Sequence, residues 1–475
     1  MDGVRRSAPP APQKRPEPAP ELNSSLIEAA ISPTDHLRAA IHHTLSVNIE
    51  PVRRLVGSLG PGLITGASDD DPSGIGTYSV VGAQFGYKTL WLALLTYPLS
   101  AAVQEVCARI GLVTGHGLAA VAKRHYGKPI LYFVASLLVI ANTINIGADL
   151  QAMAATVQLL APQANFSVIA VTLTLVILLL LIFLPYKAYA RFLKGITIVL
   201  LSYVLVAFLA KVDWSEALHN FFIPSLSLEP SYVMALVGIL GTTISPYMFF
   251  WQANEEVEEH IASGAIRKDG PNTQHPALMR LDSKIIKNMY IDVNAGMFYS
   301  ELIMFFIITS TAATIFKNGS IKNVDELRLD QLANVLHPLV GNVAFALFAL
   351  GIVGVGLLAI PVLAGSASYA ISELFGWQEG LNKKFNEAKG FYIVIIGATV
   401  VGLSLNFIGV PPVAALYYTA IINGIVAIPL LILIWKIGNN KKIVGAHTSG
   451  WLSNTLVGLT AIIMSTAVLA MFIFH

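Results

Sequence analysis

At 475 residues, with 55% hydrophobic and only 12% charged side chains and a mean hydropathy of +0.66, the chain lacks the polar surface of a soluble domain, in which about a quarter of residues are charged. The formal net charge of +2 says little by itself, because its distribution matters more than its total. Cys107 is the only cysteine, which excludes a disulfide framework and a thiolate metal cluster.

In chain order, residues 1–50 read as a disordered, proline-rich cytoplasmic tail carrying Pro9, Pro10, Pro12, Pro16 and Pro18. A short surface helix within 21–55 stays open, and the polar start shows no cleavable signal pattern. Residues 51–475 read as one transmembrane domain. Apolar runs predict about eleven spans: 56–85, 90–113, 130–160, 166–184, 192–211, 232–260, 285–316, 341–372, 391–410, 413–435 and 451–474.

The first span is interrupted by Ala67-Ser68-Asp69-Asp70-Asp71-Pro72-Ser73-Gly74. Carboxylates inside a membrane helix are costly unless they face protein, water or a cation, and proline with glycine permits local unwinding. A matching interruption, Gly241-Thr242-Thr243-Ile244-Ser245-Pro246-Tyr247, falls in the sixth span. Paired breaks five helices apart predict an inverted repeat with a midplane site between them. Repeat one then covers about 56–211, repeat two about 232–435, and an extra helix follows at about 451–474.

Orientation follows from the basic residues. Arg53 and Arg54, Lys123 and Arg124, Lys187 and Arg191, Arg267 and Lys268, Lys383 and Lys384, and Lys441 and Lys442 alternate with nearly uncharged loops. The N-terminus is therefore expected inside and the C-terminus outside, in a multi-pass protein of a bacterial inner membrane.

Gly60-Pro61-Gly62 before the first break, Gln104 to Gly115 at the end of span two, and Gly-Thr-Thr-Ile-Ser-Pro in span six together resemble the Nramp family of divalent metal transporters, from about Gly60 to the last helix. The resemblance implies an all-α fold of the amino acid/polyamine/organocation superfamily, LeuT-like, with a 5+5 inverted repeat and broken helices one and six. It also implies a metal held by an aspartate and asparagine of Asp-Pro-Gly-Asn, a helix-six carbonyl and a methionine. Carried over by position, these are Asp71, Gly74, the Thr242 carbonyl and Ser245. Two of the four have changed chemical type.

A thioether favours Mn²⁺, Fe²⁺ or Cd²⁺ over hard ions. With Ser245 and Gly74 in its place, the expected site is wide, all-oxygen and hard, like that of the Nramp-related magnesium transporter branch. Mg²⁺, which keeps several waters and binds through one or two carboxylates, is the expected cargo, with Mn²⁺ as co-substrate and no resident cofactor. The family's helix-three acids are replaced by neutral residues in Asn142-Thr143-Ile144-Asn145, and its helix-six histidine by Tyr247, so proton coupling is expected to be weak or absent. Asp149 is the residue that could still carry a proton.

Asp69, Asp70, Ser73, Tyr247, Asn423 and Glu301 read as residues around the ligands or along a vestibule, with helix caps, backbone-bonded hydroxyls and helix–helix hydrogen bonds as the competing readings. Glu105 and Arg109, four apart, read as a structural ion pair. The expected partners are the ion and the bilayer, with no nucleic acid, no obligatory protein partner and a monomer. A proton-coupled Mn²⁺/Fe²⁺ importer, a cation-coupled amino acid transporter and a channel are the rival readings. No phosphate loop, zinc motif or nucleophile elbow supports an enzyme.

Overall fold

The computed structural model describes residues 60–184, 197–262, 266–267, 277–278, 283–319, 321 and 323–474. The expected N-terminal tail and parts of spans one and five lie outside the described residues.

The described chain is helical, apart from a two-residue antiparallel pair, β1 (Ile266–Arg267) with β2 (Ala277–Leu278), in which Ile266 faces Leu278. The helices are α1 (Pro61–Asp69), α2 (Pro72–Phe85), α3 (Trp91–Thr114), α4 (Leu118–His125), α5 (Lys128–Leu160), α6 (Phe166–Phe183), α7 (Leu201–Leu209) and α8 (Trp214–Phe222). They continue as α9 (Pro230–Thr243), α10 (Pro246–Ala262), α11 (Ser283–Thr314), α12 (Leu329–Asn334), α13 (His337–Val340), α14 (Ala344–Phe375), α15 (Lys389–Leu405), α16 (Pro412–Gly438), α17 (Lys441–Val444) and α18 (Trp451–Phe474). Among the described residues, seven are long and apolar enough to cross a membrane, the α9/α10 pair counting as one. The other predicted spans correspond to α1/α2, α3, α7 and α15. These are short, broken or, in α3, interrupted by Gln104, Glu105 and Arg109.

Local chemistry accounts for the ends. Proline opens α1, α2, α9, α10 and α16, where its missing N–H costs nothing. Gly115, with φ 65°, supplies the left-handed residue that stops α3. On α6, Val168, Val171, Leu175, Leu179 and Phe183 are exposed while Ala170, Thr174, Ile177 and Leu181 are buried. That split gives a lipid-facing stripe and an inward stripe at helical spacing. The Glu105–Arg109 pair forms at 2.7 Å, and Arg109 also donates to the His447 carbonyl and the Ser449 hydroxyl, tying α3 to the approach to α18.

The continuous helix α11 backs both halves of the first span. A Cβ on Gly66 would stand 2.1 Å from the Gly296 carbonyl oxygen, and one on Gly62 would stand 2.6 Å from the Val293 nitrogen, so α1 and α11 meet backbone to backbone. Further along, a Cβ on Gly82 of α2 would stand 2.7 Å from the Ile308 carbonyl oxygen. Gly60 precedes α1 with no side chain to cap it; the Asp292 carboxylate of α11 caps it instead, accepting from Gly60 N at 2.8 Å and Gly62 N at 2.7 Å.

Candidate functional site

Each break proves shorter than its motif. Helix α1 runs through Asp69, Asp70 leaves helical geometry at ψ 42°, and Asp71 is extended at φ −60°, ψ 171° before Pro72 opens α2. In span six, Ile244 leaves the helix at φ −121°, ψ 56°, and Pro246 opens α10. Both interruptions are therefore two residues followed by proline.

The breaks abut. The Tyr247 hydroxyl at the start of α10 donates to the Ser68 carbonyl near the end of α1 at 2.8 Å. A Cβ on Gly74 would stand 3.3 Å from Thr242 Oγ1, 3.0 Å from the Asp69 carbonyl and 3.5 Å from Asp71 Oδ1. A Cβ there would thus lie at contact distance from all three oxygens. Tyr247→Phe should lower the unfolding free energy in detergent by about 1 kcal/mol, the net worth of one hydrogen bond. A thermal melt identical to the parent would show that the bond adds nothing.

Asp71 is completely buried. It caps α2: Oδ1 accepts from Gly74 N at 2.7 Å and from the Ser73 hydroxyl at 2.7 Å. Oδ2 accepts from Asn145 Nδ2 of α5 at 3.0 Å. The same Asn145 amide donates to Asp149 Oδ2 at 3.0 Å, and its carbonyl accepts from Asn423 Nδ2 of α16 at 2.7 Å. Donor direction therefore runs from α16 through α5 into the break. Asp71 retains a free lone pair on Oδ2 for a cation. The C-terminal ends of α1 and α9 meet there, with carbonyl dipoles that favour positive charge.

The family model described as "Natural resistance-associated macrophage protein-like", Nramp, matches residues 62–474, nearly the whole chain. The chain belongs to the Nramp family. It is 26% identical over 422 residues to the divalent metal cation transporter MntH of Bacillus subtilis, covering 86% of this chain and 89% of that one. It is 27% identical over 342 residues to MntH of Deinococcus radiodurans, covering 70% and 73%. Among solved structures, a mutant of the Eremococcus coleocola manganese transporter superposes with TM-score 0.66 at 18% identity, over 87% of this chain and 86% of that one. The inward-facing conformation of Mhp1 superposes with TM-score 0.52 at 14% identity, over 87% and 90%. These likenesses show the LeuT-like fold with broken helices one and six.

Within this Nramp fold, the residues singled out in the sequence divide into groups. Asp71, Gly74, Thr242, Ser73 and Tyr247 come together at the paired breaks. Asn423 and Asp149 join them through Asn145. The Ser245 hydroxyl turns back on the end of α9, its single hydrogen within reach of the Gly241 and Thr242 carbonyls at 2.7 and 2.8 Å, which is the backbone-bonded alternative for this residue. Asp69 and Asp70 point elsewhere, to Ser300 of α11, and Glu301 accepts from Thr96 and Ser100 of α3. The sequence reading took Asn145 only as a missing acid. Its spacing of four from Asp149 on one face of α5 was the available signal. Ser300 carried no signal beyond its neighbour Glu301.

Proposed function

We propose that this Nramp chain is a secondary transporter that moves divalent metal cations across the membrane by alternating access. It prefers hard ions, Mg²⁺ first and Mn²⁺ also, and couples weakly or not at all to protons. The observation that carries the reading is the oxygen setting of Asp71: its carboxylate, the Thr242 hydroxyl and the Asp69 carbonyl gather around the bare Cα of Gly74. Relatives named divalent metal cation transporters support the general class. The donor set supports the hard-ion preference, since carboxylate, carbonyl and hydroxyl oxygens suit Mg²⁺ and Mn²⁺ while thioether selects softer metals.

Weak coupling is supported by how the neutral replacements are used. Asn142 Nδ2 donates to the Leu363 carbonyl and the Ser366 hydroxyl, and the Tyr247 hydroxyl is committed to Ser68. The alternation of Lys and Arg supports an N-terminus inside and a C-terminus outside in a bacterial inner membrane. The ion is cargo in this reading and not a resident cofactor.

Proteoliposomes carrying a cation-sensitive dye inside test the substrate, and an internal pH dye tests coupling. Mg²⁺ and Mn²⁺ should both enter, and neither should acidify the lumen. Entry of Cd²⁺ or Fe²⁺ without Mg²⁺ would overturn the preference. One observation favours a second reading, a proton-coupled Mn²⁺/Fe²⁺ importer: Asp149 is linked to Asp71 through a single amide. Acidification on Mn²⁺ addition that is lost in Asp149→Asn would establish it.

A further inference from the structure

The Asp69-Asp70-Asp71 triplet at the first break sends its carboxylates to different helices. Asp71 faces α5 through Asn145, whereas Asp69 and Asp70 face α11 through Ser300. The glycine contact of Gly66 with Gly296 sets this up, because one turn further on it brings the Ser300 hydroxyl against both aspartates.

Asp69 and Asp70 are both completely buried, and Glu301 is 5% exposed. Ser300 donates to Asp69 Oδ2 and lies 3.3 Å from Asp70 Oδ1. A hydroxyl has one hydrogen, so it cannot satisfy both acids. Among the described residues, Asp69 Oδ1 and Asp70 Oδ2 have no hydrogen-bond partner. The Glu301 carboxylate lies 2.8 Å from the Thr96 hydroxyl and 3.4 Å from that of Ser100, which also reach the Leu92 and Tyr97 carbonyls, and it is close enough to act electrostatically on both aspartates. Independently of the acids, the Tyr78 hydroxyl of α2 is fully buried with no hydrogen-bond partner among the described residues, and it lies within electrostatic reach of Asp69, Asp70 and Glu301. Among the described residues, no Lys or Arg forms an ion pair with these acids. Buried carboxylates without a counter-charge cost several kcal/mol each.

We propose that Asp69, Asp70 and Glu301, with the Ser300 and Tyr78 hydroxyls, form a second cation site beside Asp71. It takes the same class of hard divalent cation. The proposal rests on the transport reading for the identity of that cation. Every donor is oxygen, which again suits Mg²⁺ or Mn²⁺. Among the described residues no three acids are gathered closely enough to ligate a bare ion. The two aspartates therefore supply direct carboxylate oxygens, Glu301 balances charge from outside, and water completes the shell, as Mg²⁺ requires. Two divalent ions only a few residues apart repel, so filling one site weakens the other and favours release onward.

Counting Mn²⁺ bound per chain, by the loss of the free-ion paramagnetic resonance signal with the purified full-length protein in detergent, tests this. The parent should bind two ions, Asp71→Ala one, and Asp69→Asn/Asp70→Asn one. Ser300→Ala, which leaves every charge in place, should weaken one site about tenfold. If the paired aspartate variant does not fold, Glu301→Gln and Ser300→Ala make the same comparison. A parent that binds one ion, lost in Asp71→Ala and unchanged in Asp69→Asn/Asp70→Asn, would overturn the second site while leaving the transport reading intact. A parent that binds neither Mn²⁺ nor Mg²⁺ would overturn the transport reading itself.

Discussion

Asp71→Ala is expected to bring Mn²⁺ and Mg²⁺ uptake into proteoliposomes down to the level of empty vesicles. Removing one partner of a buried, hydrogen-bonded charge pair costs about 3 kcal/mol, on the order of a hundredfold in affinity. The same substitution also strips an acceptor from Gly74 N, the Ser73 hydroxyl and Asn145 Nδ2, and an emptied helix cap costs about 1 kcal/mol by itself. Loss of uptake could thus reflect a lost ligand or a loosened break. Asp71→Asn separates them, because its carbonyl can still cap α2 while the charge is gone. Its amide meets the Asn145 Nδ2 donor, and a flip of Asn145 relieves that at the expense of the bond from Asn423. The expected result is a folded protein with a modestly lower melting temperature and no uptake. Uptake retained in Asp71→Asn would reduce Asp71 to a helix cap.

The second large effect belongs to Gly241, next to Thr242. A Cβ there would stand 2.0 Å from the Ala420 carbonyl oxygen and 2.4 Å from the Gly424 nitrogen of α16. Both obstacles are backbone, so no rotamer change can make room, and α9 would have to leave α16. Overpacking a close-packed interior typically costs about 1–3 kcal/mol, and more where backbone must shift. Gly241→Val is expected to abolish recovery of folded protein from membranes, and Gly241→Ala to lower the detergent melting temperature by several degrees. Gly397→Ala on α15 is the control. A Cβ there meets nothing within 4 Å, and alanine in a helix interior should be neutral or stabilising by up to about 1 kcal/mol. Equal melting temperatures for Gly241→Ala and Gly397→Ala would mean that the α9–α16 contact is softer than its distances indicate.

The fold was legible because membrane helices are written in long apolar runs and their interruptions in proline and charge. Residues 166–184, for example, predict α6 to within a residue of its end, and Pro72 and Pro246 mark the starts of α2 and α10. The amphipathic helix α8 was missed, being too short and polar for a span, although Asp213 caps it and Glu216 follows three residues later. The candidate site was legible at Asp71, a carboxylate beside proline in an apolar helix, which the structure places at the break as the cap of α2. Ser245 could not be decided from sequence, because a hydroxyl four residues past a helical carbonyl serves a ligand role and a backbone bond equally well in pattern. The partners Asn145 and Ser300 depended on which helices lie against the break, and that is a matter of packing and not of local composition.

One feature of that packing bears on how the broken helix can move. Helix α11 is uninterrupted over 32 residues and touches α1 at Gly62 and Gly66 and α2 at Gly82. It lies along the fracture as a splint lies along a broken bone. The soft joint at Asp70–Asp71 consequently cannot fold like an elbow while both contacts hold. Either α1, α2 and α11 swing together as one rod, with the joint merely a place where backbone groups are exposed, or one half must slide off the splint. The clamp from Asp292 holds α1 by its far end, so α1 cannot slide without first giving up the carboxylate that caps it.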